Sequence, residues 1–284
     1  MLRSSSALLL LVALSAGMVS KAAAEEKKVK AVVPTETISL LTKNLKDYWY
    51  TWLADARYED PRGVFTVQPD GIVRISGDGF GGLITHKEYA DYYLVMEYRW
   101  GTETFLSRKE KSRDSGLLLH CQGPDGGFGG SKGNPGPWMT SIECQIIEGG
   151  TGDILVLSGK DEDGNTIEAA ATCEVTRQGN QNVWTPGAEK QRFTRGRLNW
   201  FGRAPNWKDV KGFRGANDVE SPGQEWTKLE VFAKGDTLVY RVNGVVVNRA
   251  TEVKPQQGKI LVQTEGAEMF VRKLELRPLP NELP

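Results

Sequence analysis

"DSGLLLHCQGPDGGFGGSKGNPGPWMTSIECQIIEGGTGD", Asp114–Asp153, decides the fold class, because both of its ends alternate. Leu117, Leu119 and Cys121 fall on one side of a period of two, and Leu118, His120 and Gln122 on the other. Further on, Ile142, Cys144 and Ile146 oppose Ser141, Glu143, Gln145 and Ile147. Successive side chains of a strand point to opposite faces, so this is strand patterning. Between the two runs, Gly123–Pro137 is a loop dense in glycine, closed by Trp138. One of the chain's two histidines stands before it and a Glu-x-Gln pair after it.

The alternation recurs in both directions along the chain. "YYLVMEYRW" (Tyr92–Trp100) sets Leu94, Met96, Tyr98 and Trp100 against Val95, Glu97 and Arg99, and "GIVRISG" (Gly71–Gly77) is a shorter strand. "WTKLEVFAKGDTLVYRVNGVVVNRA" (Trp226–Ala250) reads as strands around a turn at Lys234–Asp236, with a second hairpin at Asn243-Gly244. "GKILVQTEGAEMFVRKLELRPL" (Gly258–Leu279) adds two more strands. Most of the 32 glycines fall between these runs, and no internal repeat is evident. Many short, glycine-punctuated strands define an all-β, two-sheet sandwich or jelly roll.

Lys+Arg and Asp+Glu are both 36 in 284 residues, so the formal charge is zero. That argues against a nucleic-acid partner, which calls for a basic surplus, and leaves a neutral ligand such as a sugar open. Residues 1–24 carry Arg3, an apolar run from Ala7 to Val19 and small residues at Ala22, Ala23 and Ala24. This is the order of a secretory signal, and it predicts a periplasmic or secreted protein with no membrane contact after cleavage. An uncleaved N-terminal anchor is the competing reading. Residues 25–38 read as an exposed leader, 39–278 as one globular body, and 279–284 as a loose, proline-rich tail. Cys121, Cys144 and Cys173 are an odd set in strand-like runs. They read as core residues, with a Cys121–Cys144 bridge left open should their strands be neighbours.

If the alternating strands are adjacent, their non-apolar sides converge and carry Glu97, Arg99, His120, Glu143 and Gln145. A solvated face is the commoner meaning of such a pattern. Glu, Arg, His and Gln with few lysines is also the inventory of a sugar-binding or acid/base site.

At this point five segments, in order, resemble the 3-keto-disaccharide hydrolase domain family, with its concanavalin A-like β-jelly roll. They are "LITHKEYADYYLVMEYRW", "DSGLLLH", "SIECQIIEGGTGDI", "EWTKLEVFAKGDTLVYRVNGVVV" and "ILVQTEGAEMFVRKLEL". The resemblance covers about Ser39 to Pro278. Asp114-Ser115-Gly116 with His120, then Glu143-Cys144-Gln145-Ile146, match its pattern, as does Arg272 near the last strand. In the family's Leu-Gln-x-His-Gly, this chain has Val262-Gln263-Thr264-Glu265-Gly266, so Glu265 stands where a histidine is usual.

The resemblance implies action on sugars already oxidised to a ketone at C3. The ketone acidifies the C2 proton, a base removes it, the C1 substituent leaves, and water adds back. Such chemistry needs a base near C2, donors to the ketone oxygen and an acid for the leaving oxygen. Glu143 is the candidate base, and His120 and Gln145 the candidate donors or acid. Arg99, Glu97, Trp138, Gln263 and Glu265 are candidate substrate contacts. Two rivals stand beside this reading. One is a non-catalytic carbohydrate-binding module on the same fold. The other is a two-carboxylate glycoside hydrolase pairing Glu143 with Glu97 or Glu148. Three of the candidates are expected within roughly 10 Å of one another on one concave face, His120, Glu143 and Gln145.

Other motifs are weaker. Gly77-Asp78-Gly79-Phe80-Gly81-Gly82 satisfies a dinucleotide fingerprint but lacks a following helix, so it reads as a bend between strands. Asp161-Glu162-Asp163-Gly164-Asn165 has oxygen ligands, but its glycine is misplaced for an EF-hand. It reads as a hairpin turn, with a structural calcium elsewhere left open and no cofactor evident. Trp200, Phe201 and Trp207, within Asn199–Asp209, are candidates for a further rim of the cleft. The glycine loop itself is expected to lie close beside a ligand, with Trp138 as a wall.

Overall fold

A computed structural model describes residues 30–131 and 133–284, and the signal segment lies outside the described residues. The protein is a β-jelly roll of two large antiparallel sheets, of eleven and seven strands. In the smaller sheet the order is Gly196–Leu198, Ile154–Leu157, Thr140–Ile147, Asp114–Gln122, Lys259–Glu265, Phe80–Thr85 and Trp49–Leu53. The larger sheet is centred on the long strands Tyr92–Thr104 and Ala267–Arg277, followed outward by the meander Thr227–Lys234, Thr237–Val242 and Val245–Lys254. Asn243, at φ 45°, and Gly244 turn the second hairpin of that meander, as the Asn-Gly pair predicts.

The core lies between the sheets. Leu117, Leu119, Ile142, Cys144 and Ile146 from the smaller sheet meet Leu94, Met96, Tyr98 and Tyr240 from the larger one. On the far face of the smaller sheet a second apolar cluster forms, including Trp52, Ile84, Leu118, Cys121 and Leu261. The partner sheet therefore covers one face of the smaller sheet, and Phe128 and Trp138 of the glycine loop cover part of the other.

That loop is not bare. Phe128 pairs with Trp138 across it, and Gly136 N–H donates to Gly126 O at 2.7 Å. The Trp52 indole N–H donates to Gly136 O at 3.0 Å, pinning the loop to the sheet. A Cβ at Gly136 would stand 1.9 Å from Phe128 O, so only glycine permits the two loop arms to touch.

Cys121 and Cys144 are free and sit on opposite faces of the smaller sheet, which leaves no bridge between them. Gly77–Gly82 runs into the strand Phe80–Thr85 rather than a helix, and Asp161–Asn165 is a hairpin turn between two short strands. Among the described residues no helix is long and apolar enough to cross a membrane. No group of three or more His, Cys, Asp or Glu among them is arranged to hold a metal ion.

Candidate functional site

The register of three adjacent strands builds the site. Gly116 pairs with Gln145 and Leu118 with Glu143 on one side, and Leu261 pairs with Leu118 on the other. Asp114, Gly116, Glu143, Gln145, Gln263 and Glu265 thus share the face turned away from the second sheet. They form the floor of a cleft of about 900 Å³. Phe128 and Trp138 make one wall, their rings stacked 6.4 Å apart. Arg108, Arg195 and Arg197 line the cleft as well.

Glycine at position 116 decides where the carboxylate lies. A Cβ there would stand 2.2 Å from Glu143 Oε1 and 2.6 Å from Gln263 Oε1, so both side chains occupy the space a side chain would have taken. Asp114 fixes the floor: one of its oxygens accepts from Gln145 Nε2, the other from Arg108 Nη2. Gln145 Nε2 also donates to Ser115 O at 3.3 Å. Arg108 bridges onward to Asp209 at 3.1 Å and Glu265 at 3.4 Å. Gln263 Oε1 is buried with no hydrogen-bond partner.

Arg108 thus pairs with two floor carboxyls, Asp114 and Glu265, while Arg197 pairs with Asp153 at 3.4 Å and reaches the floor by its charge. Burial, then the charge of Asp114, pushes Glu143 up to about 8, with Arg197 and Gln263 opposing. Burial, then the charge of Glu143, pushes Glu265 up to about 7, with Arg108 opposing. Both carboxyls therefore hold their protons more tightly than an exposed carboxyl does, a perturbation that buried acid/base sites share.

Four expectations need correction. His120 does not face this cleft. A β-bulge between Leu119 and Gln122 interrupts the pairing, and His120 takes φ 56° within it. The extra residue inverts the alternation, so Cys121 joins Leu118 on the cleft-side face and His120 turns inward. There its ring meets Tyr92 edge-on at 5.7 Å, Nδ1 is 2.9 Å from Pro255 O, and burial lowers its pKa to about 4.

Glu97 and Arg99 are absent from the cleft as well, because their strand belongs to the other sheet. Glu97 pairs with Arg272 at 2.6 Å and Lys273 at 3.2 Å, and Arg99 lies over Phe270 at 4.6 Å. Glu148 accepts from Arg113 N at 2.8 Å and Gly212 N at 2.9 Å, holding a loop rather than facing the cleft. Both carboxylates offered as partners to Glu143 are thus elsewhere. The aromatic residues of Asn199–Asp209 do not form a rim: none lines the cleft, Trp200 is buried, Phe201 is half exposed elsewhere, and the Trp207 indole N–H donates to Glu148 O at 2.8 Å.

Sequence reasoning missed Arg108 and Arg197. Arg108 ends a three-residue 3-10 turn and Arg197 sits mid-way along a three-residue strand, both too short for periodicity to register. Asp114 was within reach, since it shares the parity of Gly116 and Leu118.

The cleft on this sheet face, lined by buried carboxyls, arginines and two aromatic rings, suits a carbohydrate-active protein. Residues 36–277 match the profile of the 3-keto-alpha-glucoside-1,2-lyase-like domain, and the chain belongs to that family. No curated protein gives a significant match. Among solved structures, a Parabacteroides distasonis protein provisionally assigned as a glycosyl hydrolase is 17% identical, with 86% of this chain and 94% of that one covered and a TM-score of 0.46. The carbohydrate-binding module CBM66 of Bacillus subtilis is 10% identical, with 84% and 98% covered and a TM-score of 0.43. The Bacillus licheniformis β-glucanase is 9% identical, with 85% and 98% covered and a TM-score of 0.43.

Proposed function

We propose that this glycoside-acting protein cleaves glycosides carrying a ketone at C3, by elimination followed by hydration. Glu143, in its carboxylate form, takes the C2 proton. Its raised pKa makes it a stronger base than an exposed carboxylate, and Gly116 gives it room to reach over the cleft floor. Negative charge then builds on the ketone oxygen, where Gln263 and Arg197 are the donors on hand, the Gln145 amide being held by Asp114 and Ser115. Trp138 and Phe128 offer aromatic faces to the sugar ring. The observation that carries this reading is the buried carboxylate set over a glycine in a sugar-sized cleft. The protein acts after export, outside the cytoplasm, on a sugar oxidised by a separate enzyme.

The test is incubation with a 3-keto-disaccharide and with its unoxidised parent, following sugar release. Release from the ketone alone supports elimination, because the parent's C2 proton has no neighbouring carbonyl to acidify it. Equal release from both would make this an ordinary hydrolase, and glycan binding without turnover would make it a binding module. Glu143→Gln should lower turnover by about 10²–10⁴-fold while affinity for the product sugar changes far less. Export is checked separately by N-terminal sequencing of the mature protein, expected to start near Glu25.

A further inference from the structure

The elimination proposed above leaves one proton unassigned. The oxygen departing from C1 must gain a proton, and the water that later adds must lose one. We propose that Glu265 supplies and recovers that proton, acting as the second catalytic carboxyl opposite Glu143. The inference rests on the elimination reading and deepens it.

Elimination among the cleft-lining groups leads to Glu265. Among the described residues the cleft is lined by no histidine, lysine, tyrosine or cysteine, so the acid must be a carboxyl. Besides Glu143 there are three. Glu168 is on the lip, its side chain 54% exposed and paired with Arg192 at 3.3 Å. Asp114 accepts a hydrogen bond on each oxygen, which commits it to orienting Gln145 and Arg108. Glu265 remains. Its side chain is 14% exposed, and its contact with Arg108, at 3.4 Å, is looser than the one Asp114 makes.

Placement fits the task. Glu143 and Glu265 come from the two strands that flank Asp114–Gln122, Glu143 lying over Gly116 of that central strand and Glu265 on Arg108, which also holds Asp114. A ring lying between them would present C2 to one and the C1 oxygen to the other. The charge of Glu143 raises the hold of Glu265 on its proton, so Glu265 keeps a proton to give while Glu143 is the carboxylate that accepts.

Glu143 takes the C2 proton and the C–H electrons form the C1–C2 double bond. The C1–O bond breaks with its electrons on oxygen, and the Glu265 proton passes to that oxygen. In the return step Glu265 carboxylate takes a proton from water, the hydroxide adds to C1, and Glu143 returns its proton to C2. The net change is hydrolysis.

The test compares two 3-keto-glucosides, one with an alkyl or sugar leaving group and one with nitrophenolate, which departs without a proton. Glu265→Gln should lose about 10²–10³-fold in kcat/KM on the first and under about tenfold on the second. Glu265→His, which can still carry a proton, should recover part of the loss on the first. Exchange of the C2 proton with deuterated water, read by NMR, should persist in Glu265→Gln. Equal losses on both substrates, or no recovery in Glu265→His, would overturn the assignment. A wild type inert to both ketones would instead remove the elimination reading, and the assignment with it.

Discussion

The Glu143 carboxylate rests over Gly116, where a Cβ would stand 2.2 Å from Oε1. The groups in the way are the ends of two flexible side chains, Glu143 and Gln263, and not backbone. Gly116→Ala should therefore fold, because those ends can swing aside, yet it should displace the base and one candidate donor together. The expected result is a loss in kcat/KM approaching that of Glu143→Gln, with thermal stability lowered only modestly. Differential scanning calorimetry beside steady-state kinetics separates the two. Full activity in Gly116→Ala would show that the position of Glu143 is not critical.

His120 is a packing residue in this structure, and its substitution tests that. At φ 56° asparagine is among the few replacements tolerated. His120→Asn should cost about 1–3 kcal/mol of stability, through the lost contact with Tyr92, and leave kcat/KM essentially unchanged. The buried ring resists protonation down to about 4, whereas the unfolded one takes a proton near 6.5. The wild type thus loses stability as pH falls through that window, and the variant should be spared this part of the acid loss. A collapse in kcat with stability intact would return His120 to the active site.

Why the sequence misplaced this histidine is instructive. Alternation assigns faces only while the count of residues is unbroken, and one bulge residue moves everything beyond it to the opposite face. Asp114, Gly116 and Leu118 precede the bulge and keep their parity; Cys121 follows it and loses its own. Alternation is also silent about which sheet a strand joins. Glu97 and Arg99 do face away from the core, as Tyr92–Trp100 suggested, but on the larger sheet. Sheet membership is set by pairing with Thr227–Lys234 and Ala267–Arg277, over 120 residues away in sequence. The two hairpins after Trp226 were legible because their turn chemistry is local.

Trp138 and Phe128 form an aromatic wall on a loop that its own backbone contacts hold in place. Trp138→Ala should weaken sugar binding by about three- to tenfold, the equivalent of about 0.5–1.5 kcal/mol of ring contact. Its effect should fall on KM more than on kcat, since the ring lies beside the reacting carboxyls and does not exchange protons. Isothermal titration with product sugar measures the first, and saturation kinetics the second. An unaltered affinity would remove Trp138 from the substrate path.

Two buried carboxyls give the protein a pH-dependent stability that can be assigned residue by residue. Glu143 lies in the cleft and Glu220 at the edge of the core, where Tyr98 Oη donates to it at 2.7 Å and Trp100 Nε1 at 2.6 Å. Burial pushes each up to about 8 from the ordinary 4.5. The folded state therefore keeps protons that the unfolded chain releases above 4.5. Their contribution is fully present below that pH and is lost progressively as pH rises through 8. Because one pKa unit corresponds to about 1.36 kcal/mol, each site can weigh a few kcal/mol at alkaline pH. Glu220→Gln keeps an oxygen able to accept from Tyr98 and Trp100 but never ionises. It should match the wild type in urea unfolding near pH 4.5 and exceed it near pH 9, with Glu143→Gln behaving alike. The double variant should show the two gains added, since the sites sit in separate environments. Parallel stability profiles for wild type and variants from pH 4.5 to 9 would mean that neither carboxyl holds its proton in the folded protein, and the acid/base role of Glu143 would have to be sought at a lower pH.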